Sequence, residues 1–103
     1  MVARGEVWWY EHPDAARRPF LVLTRDEAIP LLNQVIAVPA TRTIRDIPTE
    51  VPLGVEDGMP APCVLAADNV TLIRPSLCTQ RITKLGPATL QAVCEALARA
   101  TAC

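Results

Sequence analysis

The chain reads as a mainly β fold, a small all-β core of barrel type with one C-terminal helix laid on it. Three features point there. Short apolar runs with two-residue alternation recur along most of the chain, Pro and Gly punctuate them closely, and a 3.6-residue apolar period appears only after Gly86. At 103 residues, half of them apolar and 20% charged, the chain supports one domain (1–103) with a single core. It is too short for two, so a site needing two contributions needs a second copy, and a homodimer is expected.

The first strand is Glu6–Tyr10, with Val7 and Trp9 on one face and Trp8 and Tyr10 on the other. Bulky apolar groups on both faces require cover on both sides, from a helix or a partner. Residues 12–18 are polar, contain Pro13 and read as a loop, after which 20–24 form the second strand. Within 26–32, Asp26 suits an N-cap, but Pro30 limits the segment to one helical turn. Residues 35–40 are an apolar run fit for the centre of a sheet, and 41–48 are a basic, polar loop.

Glu50–Leu53 makes a short strand, Asp57-Gly58 a turn, and 64–67 the next strand after Pro60 and Pro62. Thr71–Ile73 and 81–84 are two more strands, separated by Pro75-Ser76. Gly86-Pro87 then opens a helix as N-cap and first turn, with Leu90, Val93, Cys94 and Leu97 as its apolar stripe. There is no internal repeat and no linker.

Composition excludes several classes. No run approaches the roughly 20 apolar residues of a membrane span, and the opening MVARGEV has no signal-peptide core, so a cytoplasmic location without membrane contact is expected. Cys63, Cys78, Cys94 and Cys103 are widely spaced and share the chain with one histidine, which argues for reduced thiols and against a zinc site; no metal and no cofactor are expected. A net charge of −1 argues against indiscriminate coating of nucleic acid. Nine of the ten basic residues are arginine, whose planar fork suits phosphate, although codon bias in a GC-rich genome accounts for that equally well.

Four segments in order resemble the MazF/PemK toxin family: Arg4-Gly5-Glu6-Val7-Trp8, Arg18-Pro19-Phe20-Leu21-Val22-Leu23, residues 35–41 ending in Thr41, and Asp68-Asn69. Ile82-Thr83-Lys84-Leu85-Gly86 also falls where that family has its last strand before the helix. The similarity runs from Arg4 to about Leu97 and rests on order and spacing more than on any one motif. It implies a compact SH3-like β-barrel that dimerises and cuts single-stranded RNA without a metal. It further implies a groove lined by both subunits, which the C-terminal segment of a cognate antitoxin can cover.

Metal-free RNA cleavage drives a ribose 2′-hydroxyl against the adjacent phosphate, and needs a proton acceptor, a proton donor and a stabiliser of negative charge. Arg18 matches the arginine of the R-P motif, and a guanidinium directly before a strand can stabilise the phosphorane; by itself it reads as a solvated loop arginine beside Arg17. Thr41 matches the threonine ending the family's third strand, where its hydroxyl positions the phosphate or the 2′-oxygen; the plain alternative is a β-branched strand end. His12 carries the only imidazole, the side chain suited to proton transfer near neutrality, and some family members have a loop histidine near this place. A solvated loop histidine is the competing reading.

Asp68 resembles an acidic residue that some relatives keep beside their RNA site, but the arginine two places before it there is Ala66 here. RNA contact, or a buried structural carboxylate, is then its role. Arg17, Arg42, Thr43 and Arg45 offer phosphate contacts, and Asn69 together with backbone groups can read bases. With only four aromatic residues, most on strands, Trp8, Trp9, Tyr10 and Phe20 are assigned to core or interface. Three other readings stand beside this one: a gyrase-binding toxin of similar barrel shape without a nuclease centre, a peptide-binding module, and a nuclease acting on tRNA or rRNA loops.

Overall fold

The computed structural model describes all 103 residues. Seven strands form one antiparallel sheet, and a single helix follows: β1 Glu6–Tyr10, β2 Arg18–Val22, β3 Val35–Thr41, β4 Glu50–Leu53, β5 Cys63–Ala66, β6 Thr71–Ile73, β7 Cys78–Lys84 and α1 Pro87–Thr101. The order is β4-β5-β3-β2-β1-β7, with β6 also paired to β3. β3 is thus shared: β2 lines one edge, while the other edge pairs first with β6 over 35–37 and then with β5 over 40–41. Pro39 sits at the switch between those two partners, where a missing N–H disturbs the ladder least.

Alternation along the strands builds two cores. Val7, Leu21, Leu23, Val38, Ala40 and Leu65 pack on one face, where Val93 and Ala96 of α1 cover them. Phe20, Val22, Val35, Ala37 and Ile73 pack on the other, covered by Val2 and Ile29 and flanked by Trp8, Tyr10 and Cys78. Val7 on one face of β1 and Trp8 and Tyr10 on the other thereby find cover within the chain, whereas Trp9 joins neither core. Gly5 in the R-G-E-V opening has φ +90°, and a Cβ there would press on the Leu90 side chain of α1, so glycine lets the helix close on the sheet.

Several boundaries differ from the sequence reading. The second strand was expected over 20–24, but it begins at Arg18, because Arg18 and Pro19 pair with Tyr10 and Trp9 of β1. Beyond Val22 the ladder continues irregularly: the Leu23 N–H donates to the Ile36 carbonyl at 2.8 Å, and the buried Thr24 hydroxyl accepts the Ile36 N–H at 2.7 Å. The fifth strand starts at Cys63 and ends at Ala66, and the seventh starts at Cys78, three residues before 81. Two register shifts, which leave Thr79 and Ile82 without partners, let the five residues of β1 pair along β7 from Lys84 to Cys78. The turn expected over 26–32 is a 3-10 turn at Ile29–Leu31, and Asp26 accepts the Arg4 N–H at 2.8 Å instead of capping it. In α1, Val93 and Ala96 are buried, whereas Cys94 is exposed and not part of the stripe.

The two ends of the strand order meet without a ladder. Thr83 of β7 donates its hydroxyl to the Asp57 carbonyl at 2.9 Å, just beyond β4, and so draws the curved sheet toward a barrel. The next residue, Gly58, has φ +92°, and a Cβ on it would collide with the Thr83 side chain. On the opposite side, the carboxylate of Glu6, 8% exposed, accepts hydrogen bonds from the Ala3 N–H (2.8 Å), Trp8 Nε1 (3.0 Å) and Arg81 Nη1 (3.2 Å). Burial raises the Glu6 pKa, but those three bonds and the Arg81 charge outweigh it, and the net shift is downward.

Gly58→Ala is expected to destabilise the fold by about 2 kcal/mol or more, the cost of a left-handed alanine plus the clash. Urea unfolding checks this, and an unmoved midpoint would show that the closure contributes nothing. For Glu6, a lowered folded-state pKa means its stabilisation is complete above the ordinary carboxylate range and is lost as pH falls through the folded value. Glu6→Gln is therefore expected to cost about 1–3 kcal/mol at neutral pH, with the deficit shrinking in acid. A deficit that stays constant across the acid limb contradicts the charge-based account.

Candidate functional site

The β2–β3 register pairs Phe20 with Pro39, Leu21 with Val38 and Val22 with Ala37. Extended by two residues, it sets Arg18 across from Thr41 at the same end of neighbouring strands. Both side chains line one cleft of about 310 Å³, together with Trp9, Arg17, Pro19, Arg42 and a wall formed by Ala40, Met59, Pro60, Ala61 and Cys63. The strand ends supply the polar groups, while the segment after Gly58 supplies most of the apolar wall.

Each polar group is held in a definite way. The Thr41 hydroxyl oxygen accepts the Thr43 N–H at 3.1 Å, which leaves its proton free to donate into the cleft. The loop that follows is folded around Glu50, whose carboxylate accepts the N–H groups of Arg45 (3.0 Å) and Asp46 (2.9 Å). Asp46 takes a left-handed conformation there, φ 56°. The Arg17 guanidinium lies 4.0 Å from the centroid of the Trp9 ring.

The chain contains one ion pair, Arg81 with Glu6. Arg17, Arg18 and Arg42 therefore converge on the cleft without carboxylate partners, and a net charge of −1 coexists with a locally positive site. Burial pushes the Cys63 thiol pKa up against the opposing pull of Arg42, and pushes Cys78 up to about 11. Neither thiol is set up as a nucleophile. Nowhere do three or more His, Cys, Asp or Glu side chains gather as a metal-binding group, and no helix is long and apolar enough to cross a membrane.

The other sequence-derived candidates lie apart. His12 is exposed and lines a second cleft of about 350 Å³ with Tyr10, Phe20, Thr71 and Ile73, sharing only Arg18 with the first. Its Nδ1 accepts the Asp14 N–H at 3.1 Å, so a neutral ring carries its proton on Nε2. Thr43 and Arg45 are exposed on the loop but do not line the cleft. Asp68 and Asn69 sit in a 3-10 turn after β5, also outside it. Asp68 is exposed and accepts the Thr49 hydroxyl at 2.5 Å, so the buried-carboxylate alternative is wrong.

Sequence reasoning missed the apolar half of the cleft. The strand pattern assigns Trp9 to core or interface, but it is only half-buried, at the point where the core opens. Arg17, expected to contact phosphate, packs against the Trp9 ring in the free chain. Met59, Pro60 and Ala61 carry no local signal, since the β4–β5 pairing alone brings them to Arg18 and Thr41.

The chain is similar to known proteins over nearly its full length. Residues 3–101 match a family described as PemK-like, MazF-like toxin of type II toxin-antitoxin system. A probable endoribonuclease MazF5 of Mycobacterium tuberculosis is 38% identical over 102 residues, covering 98% of this chain and 94% of the relative. A probable endoribonuclease MazF2 of the same species is 39% identical and covers 97% and 98%. Among solved structures, the Mycobacterium tuberculosis toxin MazF-mt6 superposes with a TM-score of 0.85 at 30% identity, covering 94% of this chain and 96% of that one. A mycobacterial endoribonuclease in complex with its cognate antitoxin superposes with a TM-score of 0.87 at 27% identity, covering 99% and 96%. With the fold, the full-length match and the strand-end arginine in agreement, the chain belongs to the PemK/MazF family of type II toxin-antitoxin toxins.

Proposed function

We propose that this chain is a ribonuclease toxin that cuts single-stranded RNA by attack of a ribose 2′-hydroxyl on the adjacent phosphate, with Arg18 and Thr41 as the phosphate-handling pair. The observation that carries this reading is their meeting in one cleft beside unpaired Arg42. The new bond joins the 2′-oxygen to phosphorus, the bond to the 5′-oxygen breaks, and the products are a 2′,3′-cyclic phosphate and a 5′-hydroxyl end. Arg18 stabilises the extra negative charge of the phosphorane, and Thr41 donates its free proton to a phosphate oxygen. His12, across Arg18, is assigned the proton transfers: in the tautomer that leaves Nε2 unprotonated, with the Asp14 N–H contact released, Nε2 takes the 2′-hydroxyl proton, and the resulting imidazolium gives a proton to the departing 5′-oxygen. The mechanism runs without a metal.

Arg17, Arg42, Thr43 and Arg45 contact the RNA chain on this reading, and Asp68 and Asn69 do so only with nucleotides beyond the cleft. Inhibited translation and growth follow, in the cytoplasm, and a cognate antitoxin neutralises the toxin by covering the cleft. The relatives' names as endoribonucleases favour this over the gyrase-binding alternative. A homodimer is proposed as well. Ile36 and Leu72 face each other across β3 and β6 while 46% and 54% exposed, next to Leu32 at 48%, and a second copy covers this patch.

Total RNA incubated with the protein in EDTA is expected to be cut at discrete sites, which 5′-end mapping locates. Arg18→Ala should lose roughly 100- to 1000-fold in rate, Thr41→Ala should lose a comparable factor, and Thr41→Ser should recover part of it. Cleavage that needs added magnesium sinks the metal-free mechanism, and full activity in both alanine variants sinks the site. By sedimentation, the wild type should be a dimer, and Ile36→Asp with Leu72→Asp should shift it to monomer. A variant that stays dimeric moves the interface elsewhere.

A further inference from the structure

We infer that Trp9 is a stacking shelf for the nucleobase adjoining the scissile phosphate, and that Arg17 occupies the shelf until RNA displaces it; this rests on the ribonuclease reading above. The cleft offers both kinds of lining that a nucleotide needs. Arg18, Thr41 and Arg42 supply charge and a hydroxyl, while Trp9, Pro19 and Pro60 supply apolar surface, within a volume of about 310 Å³. That is the small end of ligand pockets and suits a single nucleotide unit better than a helix.

Trp9 follows Val7 on the same face of β1, so its ring lies where the helix-covered core gives way to the cleft. Its strand partners Pro19 and Gln80 hold the backbone on both sides, which makes the ring a fixed surface. The Arg17 guanidinium, 4.0 Å from the ring centroid, belongs to an exposed loop residue with no carboxylate partner. A base stacked on an aromatic ring outweighs an exposed cation–π contact, so the exchange is favourable. The released guanidinium remains beside the entering phosphate chain, where it regains an anionic partner. Trp9 thereby positions the RNA, and stacking makes it tolerant of base identity, which leaves sequence choice to other contacts.

The test uses an RNA oligonucleotide containing a mapped cleavage site with a 2′-deoxy scissile nucleotide, intact or abasic at either nucleotide flanking that phosphate. For the wild type, one of the two abasic changes should weaken binding roughly tenfold or more and should lose the strong quenching of tryptophan fluorescence that the intact oligonucleotide and the other abasic one produce. Trp9→Leu should weaken binding of the intact oligonucleotide by a similar factor and abolish the difference between intact and abasic, whereas Trp9→Phe should keep most of it. An abasic penalty that persists unchanged in Trp9→Leu overturns the shelf and leaves the nuclease reading standing. Equal fluorescence quenching by the intact and both abasic oligonucleotides in the wild type overturns it without any variant. A wild-type protein that neither binds the oligonucleotide nor cuts its all-ribose form overturns both readings.

Discussion

Everything in this small fold depends on β3 having three hydrogen-bonding partners. β2 runs along one of its edges, and β6 and β5 divide the other, so the strand carries the sheet from one half of the fold into the next. Its alternate residues feed both cores, with Val38 and Ala40 on the helix side and Val35 and Ala37 on the other. A one-residue slip of β3 would exchange these sets and expose both cores at once, so its register is fixed by burial on both faces. Because the register is fixed, so is the position of Thr41 at its end. A hydroxyl that must meet a guanidinium from the neighbouring strand gains its precision from the same ladder that holds the cores.

The charges follow a second rule, which net charge conceals. Most of the carboxylates are engaged locally: Glu6 by a backbone N–H, an indole and Arg81, Asp26 by the Arg4 N–H, Glu50 by two loop N–H groups, Asp57 by the Gly54 N–H, Glu11 and Asp68 by threonine hydroxyls. Only one of them reaches an arginine in an ion pair. Acids act here as folding ligands for backbone donors, and the arginines at the cleft are left unneutralised. A chain of net charge −1 can therefore present a site that attracts phosphate, without the uniform basic surface that would make it bind all nucleic acid.

Legibility in the sequence followed the range of the interaction that decides each feature. β1, β4, β6 and the proline-opened helix were readable because alternation, breakers and capping chemistry are local. The early starts of β2 and β7 were not, since Arg18-Pro19 and Cys78-Thr79-Gln80 look like loop and become strand only by pairing with β1. Cys94 fitted the helical period but lies at the margin of a face whose centre is Val93 and Ala96. Arg18 and Thr41 were marked by motif and by strand ends, and the structure places both in one cleft. The place of Trp9 was not legible, because period two says which face a residue takes, not whether the core has ended beneath it.

The residues in and around the cleft are built on different supports. Arg18 and Thr41 stand on paired strands, where backbone bonds hold them to within small displacements, and that is what a group stabilising a phosphorane requires. Thr43 and Arg45 stand on a loop whose fold depends on the single Glu50 carboxylate and a left-handed Asp46, so this arm can change its course without disturbing the ladder. On the proposed reading, stabilisation of the phosphorane is fixed by the sheet and nucleotide choice by the 42–48 loop. Substitutions along 42–48 can then alter which RNA is cut while β2 and β3 keep the cutting geometry, a separation that a site built wholly on loops could not maintain.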